Sequence, residues 1–298
     1  MPMPKAPDAG VPTPDGGASR VGRVRVLGVP LARVSMVSAL AEASRLVESG
    51  GGPRWIGVCN TYTAVVAQRD PGLRAFYEEA ALNLPDGMPL VWASRLYGRP
   101  IPERVSGPDF LLAFARRAAA RGWRFYFLGA DEGTLAAMVR TLEDAAPGLV
   151  VAGTCAPPFG PFSESVDRRL IDAVNAARAD VLWVGMSAPK QETWLCRTGE
   201  RLHVRLGIGV GAAFGFFAGR VRRAPPWMRG AGLEWAYRLS QEPRRLWRRY
   251  LVGNTGFCAG VVRDLLTGAC RRPCRAGPRR CRGGARRGRR AARKRTHA

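Results

Sequence analysis

From Arg23 onward, short β-branched and aromatic runs alternate with stretches of helical periodicity, and no other feature constrains the fold as tightly. The strand candidates are Val24–Val29, Trp55–Cys59, Arg124–Leu128, Leu149–Gly153, Val181–Val184 and Val204–Ile208. Helical spacing covers Val37–Glu48, Leu73–Ala81, Pro89–Leu96, Asp109–Ala120, Gly133–Ala145, Val166–Ala177 and Lys190–Thr198. Alternation of this kind predicts an α/β fold, a Rossmann-like parallel sheet between helix layers. Ligands of such sheets bind beyond the C-terminal ends of the strands. The positions to weigh are therefore Asn60-Thr61, Asp86-Gly87, Gly129 to Gly133, Gly185 to Glu192 and Gly209 to Gly219.

Taken singly, each loop keeps two meanings. Leu84-Pro85-Asp86-Gly87 is a turn by composition. Asp86 is equally a carboxylate at a helix start, able to take a proton from a hydroxyl. Gly185 to Glu192 is a plain loop with Pro189 in the first helical turn, or a set of N–H groups that meets a sugar or diphosphate beside the Gln191 amide. The five glycines of Gly207 to Gly219 allow close backbone packing, or the approach of a diphosphate to the main chain.

Charge divides the chain further. Of the formal net charge of +24, residues 263–298 carry +13 and residues 220–262 carry +7, leaving +4 for the rest. A near-neutral body with a basic C-terminal third points to a polyanion or an anionic membrane surface as partner. At helical spacing over residues 244–252, Arg244, Arg245, Arg248 and Arg249 fall opposite Leu246, Trp247, Tyr250 and Leu251. That is the pattern of a helix lying in a membrane interface. Beyond Gly253, Arg/Gly/Pro-rich low complexity predicts disorder. The expected divisions are a disordered leader (1–22), an α/β domain (23–219), a basic amphipathic helical appendage (220–254) and a basic disordered tail (255–298).

Several function classes recede on composition. The seven cysteines contain no CxxC pair, and with only His203 and His297 no zinc-type cluster assembles. Scattered cysteines fit a reducing cytosol. No apolar run approaches the roughly 20 residues that span a bilayer, so the expected location is cytoplasmic, peripheral at the inner face of the cell membrane. The chain has no Asp-x-Asp, the motif with which many nucleotide-sugar enzymes hold Mn²⁺ or Mg²⁺. Arginines and helix N-termini would then neutralise a leaving diphosphate. A GxGxxG turn after the first strand is missing, which argues against a dinucleotide oxidoreductase. The competing reading is a nonspecific polyanion or nucleic-acid binder with a Rossmann-like core. Residues 263–298 lack the interleaved aromatics of a single-strand binder, so specific nucleic-acid recognition is not expected.

Together the loops form an ordered set: Asn60 with Ala64-Val65, LPDGMPLVW (84–92), PERVSGPDF (102–110), FLGA (127–130), GMSAPKQETW (185–194), GIGVGAAFGFFAG (207–219), RAPPWMR (223–229) and LEWAYRLSQEPRRLWRRYLVGN (233–254). In order and wording this set resembles the WecB/TagA/CpsF family of bacterial glycosyltransferases over roughly 25–254. The resemblance implies an inverting, metal-independent enzyme without cofactor. It would move a sugar from a UDP-sugar, N-acetylmannosamine being the best-known case, to a polyprenyl-diphosphate-linked sugar during cell-surface polysaccharide synthesis. It also implies Asp86 as general base and Asn60, Arg104 and Gln191 as substrate-binding residues. Arg238, Arg245 and Arg248 match a C-terminal appendage that closes over the site and contacts membrane. Many members have Thr-x-Asn where this chain has Val58-Cys59-Asn60, so the missing hydroxyl would fall to Thr61 or Thr63. Oligomeric state is not encoded in any motif, and a homo-oligomer stays open.

Overall fold

The computed structural model describes residues 21–271 and bears out the α/β class. Six parallel strands form the central sheet: β3 (Arg54–Cys59), β4 (Leu82–Pro85), β5 (Arg124–Gly129), β6 (Val150–Cys155), β7 (Val181–Gly185) and β8 (Leu206–Gly209), in the order β4-β3-β8-β7-β5-β6. Before them, β1 (Arg23–Val26) and β2 (Val29–Ala32) pair antiparallel as a separate hairpin. The expected single strand Val24–Val29 is thus two strands. Leu27 and Gly28 both take positive φ (50° and 83°), the two-residue hairpin turn that follows strand twist. Leu27 stands where Asn, Asp or Gly usually precedes the turn glycine, and β4 is too short and Pro-ended to stand out, so neither the hairpin nor β4 is expected from the sequence.

Helices cover both faces. On one lie α1 (Met36–Glu48), α5 (Gly107–Ala119), α6 (Glu132–Ala145) and α9 (Ala213–Phe217). On the other lie α2 (Thr61–Val66), α3 (Pro71–Glu79), α4 (Met88–Leu96), α7 (Glu164–Ala176) and α8 (Lys190–Thr198). Strand alternation sorts the core between them. Phe125, Phe127, Val181 and Trp183 point to the first face, Tyr126, Leu128, Leu182 and Val184 to the second. Trp183 is fully buried, its ring 5.5 Å from Phe125 and 6.2 Å from Phe114.

The C-terminal part is helical throughout: α10 (Pro226–Gly230), α11 (Glu234–Gln241) and α12 (Pro243–Leu266). The expected boundary at 254 is therefore corrected, because α12 runs twelve residues past it. Its glycines are a contact surface rather than low complexity. A Cβ on Gly253 would lie 3.4 Å from Tyr62, on Gly256 3.2 Å from Val65 and on Gly260 2.9 Å from Leu27. This one helical face lets α12 lie close on α2 and the hairpin, and Phe257 and Val261 enter the core beside it. The expected leader, save residues 21 and 22, and the tail from 272 lie outside the described residues.

Ending the chain after Asn254 would cut α12 in its middle and remove Phe257 and Val261 from the core. Burial of such side chains is worth about 1.5–3 kcal/mol each. The melting temperature is expected to fall by about 10 °C relative to a chain ended at residue 271. A scanning-fluorimetry difference within 2 °C, against the roughly 10 °C expected, would show that the second half of the helix adds nothing.

Candidate active site

The sheet's strand order reverses around β3 and β8, and the loops leaving β3, β4, β7 and β8 surround one cleft at their C-terminal ends. The cleft has two lobes of about 120 and 250 Å³. Asn60, Asp86, Pro108, Phe216, Arg238 and Arg249 line both, and so mark the junction. Thr61, Arg104, Glu234, Trp235 and Tyr250 are among the further lining of the smaller lobe, and Ser187, Gln191, Gly209 to Ala213 and Arg245 of the larger.

Asp86 follows β4, and its backbone N–H donates to Cys59 O at 2.7 Å, which ties the loop to β3. Burial pushes its carboxyl up to about 6. Arg104 opposes that shift, and Glu234 and Asp109 add to it as like charges. Arg104 does not face Asp86 alone, because its Nη1 donates to Glu234 Oε2 at 2.7 Å. Asp109 accepts both Arg223 Nη1 (2.6 Å) and Nη2 (3.0 Å). Burial notwithstanding, Arg223, the Ser106 hydroxyl and Arg229 bring Asp109 down to about 2. Three ion pairs, Arg104–Glu234, Asp109–Arg223 and Asp109–Arg229, thus fasten the 220–241 segment across the mouth of the cleft. Neither Glu234 nor Asp109 belonged to the expected site.

Asn60 caps α2. Its Oδ1 accepts from the Thr63 N–H at 3.1 Å while Thr63 Oγ1 accepts from the Asn60 N–H at 2.9 Å. That leaves the amide NH₂ as the end for a ligand. The Thr61 hydroxyl donates to Asn254 Oδ1 of α12 at 3.5 Å. Gln191 is buried, with Oε1 accepting from the Gly211 N–H and Nε2 donating to Glu192. Val58 lines the larger lobe without a hydroxyl, and of the two threonines expected to supply one, Thr63 lines that lobe and Thr61 the smaller.

The arginines of the C-terminal helices divide in a way that helical spacing alone did not foresee. Leu246 is buried and Tyr250 lines the cleft, 5.9 Å from the Trp235 ring, while Trp247 and Leu251 face outward. The expected division into one apolar and one basic face is therefore corrected: α12 packs on the protein body, and the buried stripe follows that contact. Arg245 reaches the larger lobe and donates to Glu242 Oε2 at 2.5 Å. Arg248 lines neither lobe and lies over the outer Trp247 ring at 5.6 Å. Arg249, named only as part of the basic face, turns inward over the Tyr62 ring at 4.6 Å. Burial, with Arg238 and Arg245 nearby, lowers its pKa. Arg238 lies over Phe216 at 5.2 Å, its Nε buried without a hydrogen-bond partner. Two inward cations to which no carboxylate among the described residues is bound, at the cleft junction, make a place for an anion. Among the described residues, no three His, Cys, Asp or Glu side chains are grouped so as to hold a metal ion.

The chain matches the Glycosyl transferase WecG/TagA/CpsF family over residues 24–271, which reaches through α12. It is similar to an N-acetylglucosaminyldiphosphoundecaprenol N-acetyl-beta-D-mannosaminyltransferase of Bacillus spizizenii (strain W23). The two are 30% identical over 217 residues, 73% of this chain and 81% of that one. A protein of the same name from Bacillus subtilis (strain 168) is 30% identical over 199 residues, 66% of this chain and 74% of the relative. With a parallel sheet, one cleft at its C-terminal edge and a match that runs nearly the whole described length, the chain belongs to the WecG/TagA/CpsF family of glycosyl transferases and is itself a glycosyltransferase.

Proposed function

We propose that this glycosyltransferase moves a hexosamine, N-acetylmannosamine first among the candidates, from a UDP-sugar to a polyprenyl-diphosphate-linked N-acetylglucosamine. The observation that carries the reading is the junction of the lobes, where one carboxylate of raised pKa meets two cations that no carboxylate among the described residues binds. The acceptor sugar enters the smaller lobe with its hydroxyl toward Asp86, and the donor diphosphate lies in the larger lobe against Arg238, Arg249 and the Gly209–Ala213 turn. Asp86 takes the hydroxyl proton as the oxygen attacks the anomeric carbon. Charge building on the leaving diphosphate is met by the guanidinium groups and by backbone N–H groups of the turn. No step calls for a metal ion, since Asp109 and Glu234 are already committed to arginines. Asn60 and Thr61 orient the sugars, and Arg104 holds Asp86 and Glu234 in register.

No helix among the described residues is long and apolar enough to cross a membrane. A peripheral approach to the anionic inner leaflet is supported by exposed Trp227, Trp235, Trp247 and Leu251 on C-terminal helices that also carry the exposed Arg244 and Arg248. Each basic residue near such a surface contributes about 1 kcal/mol, less as salt rises.

The test is a donor screen with a short prenyl-diphosphate N-acetylglucosamine acceptor, following UDP release with EDTA present. Transfer from one UDP-sugar, unaffected by chelation, is the expected outcome. Activity lost to EDTA and restored by Mn²⁺ or Mg²⁺ would overturn the arginine-only neutralisation.

A further inference from the structure

Behind the larger lobe lies a carboxylate that the proposed chemistry does not use. Glu192 of α8 is fully buried, a site where an ionised side chain is costly. Its Oε1 accepts from Gln191 Nε2 at 2.8 Å, and its Oε2 has no hydrogen-bond partner among the described residues. Gln191 Oε1 in turn accepts from the Gly211 N–H at 3.0 Å. Gly211 stands at φ +53°, and a Cβ on neighbouring Gly209 would lie 2.8 Å from Gln191 Nε2, so amide and turn are in close contact. The three groups form one chain from the buried acid to the turn that walls the lobe.

The direction of that chain depends on its buried end. An amide has a donor end and an acceptor end of nearly equal size. Reversed, Gln191 would set its NH₂ against the Gly211 N–H and its oxygen against the Glu192 carboxyl. An acceptor at Glu192 makes the observed direction the satisfied one. For stability alone a carboxylate is a poor choice here, because burial pushes its pKa up to about 7. Arg249 partly offsets that cost, and the Cys59 thiol and Tyr77 hydroxyl feel the carboxylate in turn.

We propose that Glu192 is a positioning residue: it sets the direction of the Gln191 amide, and through it holds the Gly209–Ala213 turn in the shape that receives a nucleoside diphosphate. The second clause rests on the donor site proposed above. The first does not.

The experiment reads hydrogen exchange of the Gly211 amide by NMR, together with kcat and the donor KM. Glu192→Leu keeps the volume and removes the acceptor. It should speed Gly211 exchange about tenfold or more, the worth of one lost hydrogen bond, and lower kcat/KM about tenfold to a hundredfold. Glu192→Gln keeps an acceptor and should stay within about threefold of wild type in both. Gln191→Leu deletes the acceptor of the Gly211 N–H itself and marks the full extent of loosening, and Glu192→Met, which also lacks the carboxyl acceptor, serves if Glu192→Leu does not fold. Unchanged Gly211 exchange in the leucine variants would overturn the proposal. So would Glu192→Gln as impaired as Glu192→Leu, which would make the charge, not the acceptor, the working feature. Gly211 exchange needs no substrate, so a wild-type chain that turns over no UDP-sugar would sink the donor-site reading and leave Glu192 still to be decided.

Discussion

Asp86→Asn is expected to lower kcat by about 10²–10⁴, the range for removing a general base, while the chain keeps its fold. Asparagine preserves size and turn preference, and the loop stays tied by the backbone bond from Asp86 N to Cys59 O. The pKa adds a sharper expectation. A carboxyl raised to about 6 in the fold, against 3.8 ordinarily, binds its proton more tightly folded than unfolded. Its contribution to stability is complete below about pH 4 and is lost as pH rises through about 6. Above pH 6 the neutral asparagine should therefore melt no lower than wild type, and on the order of 1–3 kcal/mol more stably if Arg104 tolerates the exchange. Wild-type kcat/KM should fall as pH drops below about 6, where the base becomes protonated. Scanning calorimetry and a pH–rate profile of both proteins check the pair. Activity within about threefold of wild type, far short of a lost base, would remove Asp86 from the mechanism.

Arg249→Ala should cost about 10²–10³ in kcat, the scale of losing one group that meets developing charge in a desolvated site. Arg249 lines both lobes, and no carboxylate among the described residues is bound to its guanidinium, which stands beside Arg238 and Arg245. An anion at the junction relieves that arrangement, so UDP affinity should fall along with kcat. Arg249→Lys keeps charge but loses the planar fork and the stacking on Tyr62, and should recover only part of the loss. Arg248→Ala, on the outer face over Trp247, should lose less in detergent than Arg249→Ala and more in vesicle binding. Isothermal titration with UDP and cosedimentation with anionic vesicles separate the two effects. Equal losses in both variants would contradict the inward and outward assignment.

The parallel sheet was readable because its central strands are continuous apolar runs with period-2 sorting, and helix α8 was expected over the same residues that form it. The cleft was readable as a set of strand-end loops: Asn60, Asp86, Gln191 and the glycine-rich turn do meet there. Residues whose role depends on tertiary packing were not readable. Glu234 and Asp109 matter through arginines 130 and 114 residues away in sequence. Arg249 and Arg248 are neighbours in any charge count, and only the contact of α12 with α2 sends one inward and one outward. The second half of α12 was not readable either, because its glycines run on into an Arg/Gly/Pro-rich composition that predicts disorder. Against a packed partner the same glycines permit closer approach.

The most direct measurement is the anomeric configuration of the product made from an α-linked UDP-hexosamine, read from NMR couplings. One carboxylate acting on the acceptor oxygen, with arginines on the leaving diphosphate, requires direct displacement and a β-linked product. An α-linked product would mean two displacements or front-face attack, and would contradict Asp86 as the base of a single-step transfer.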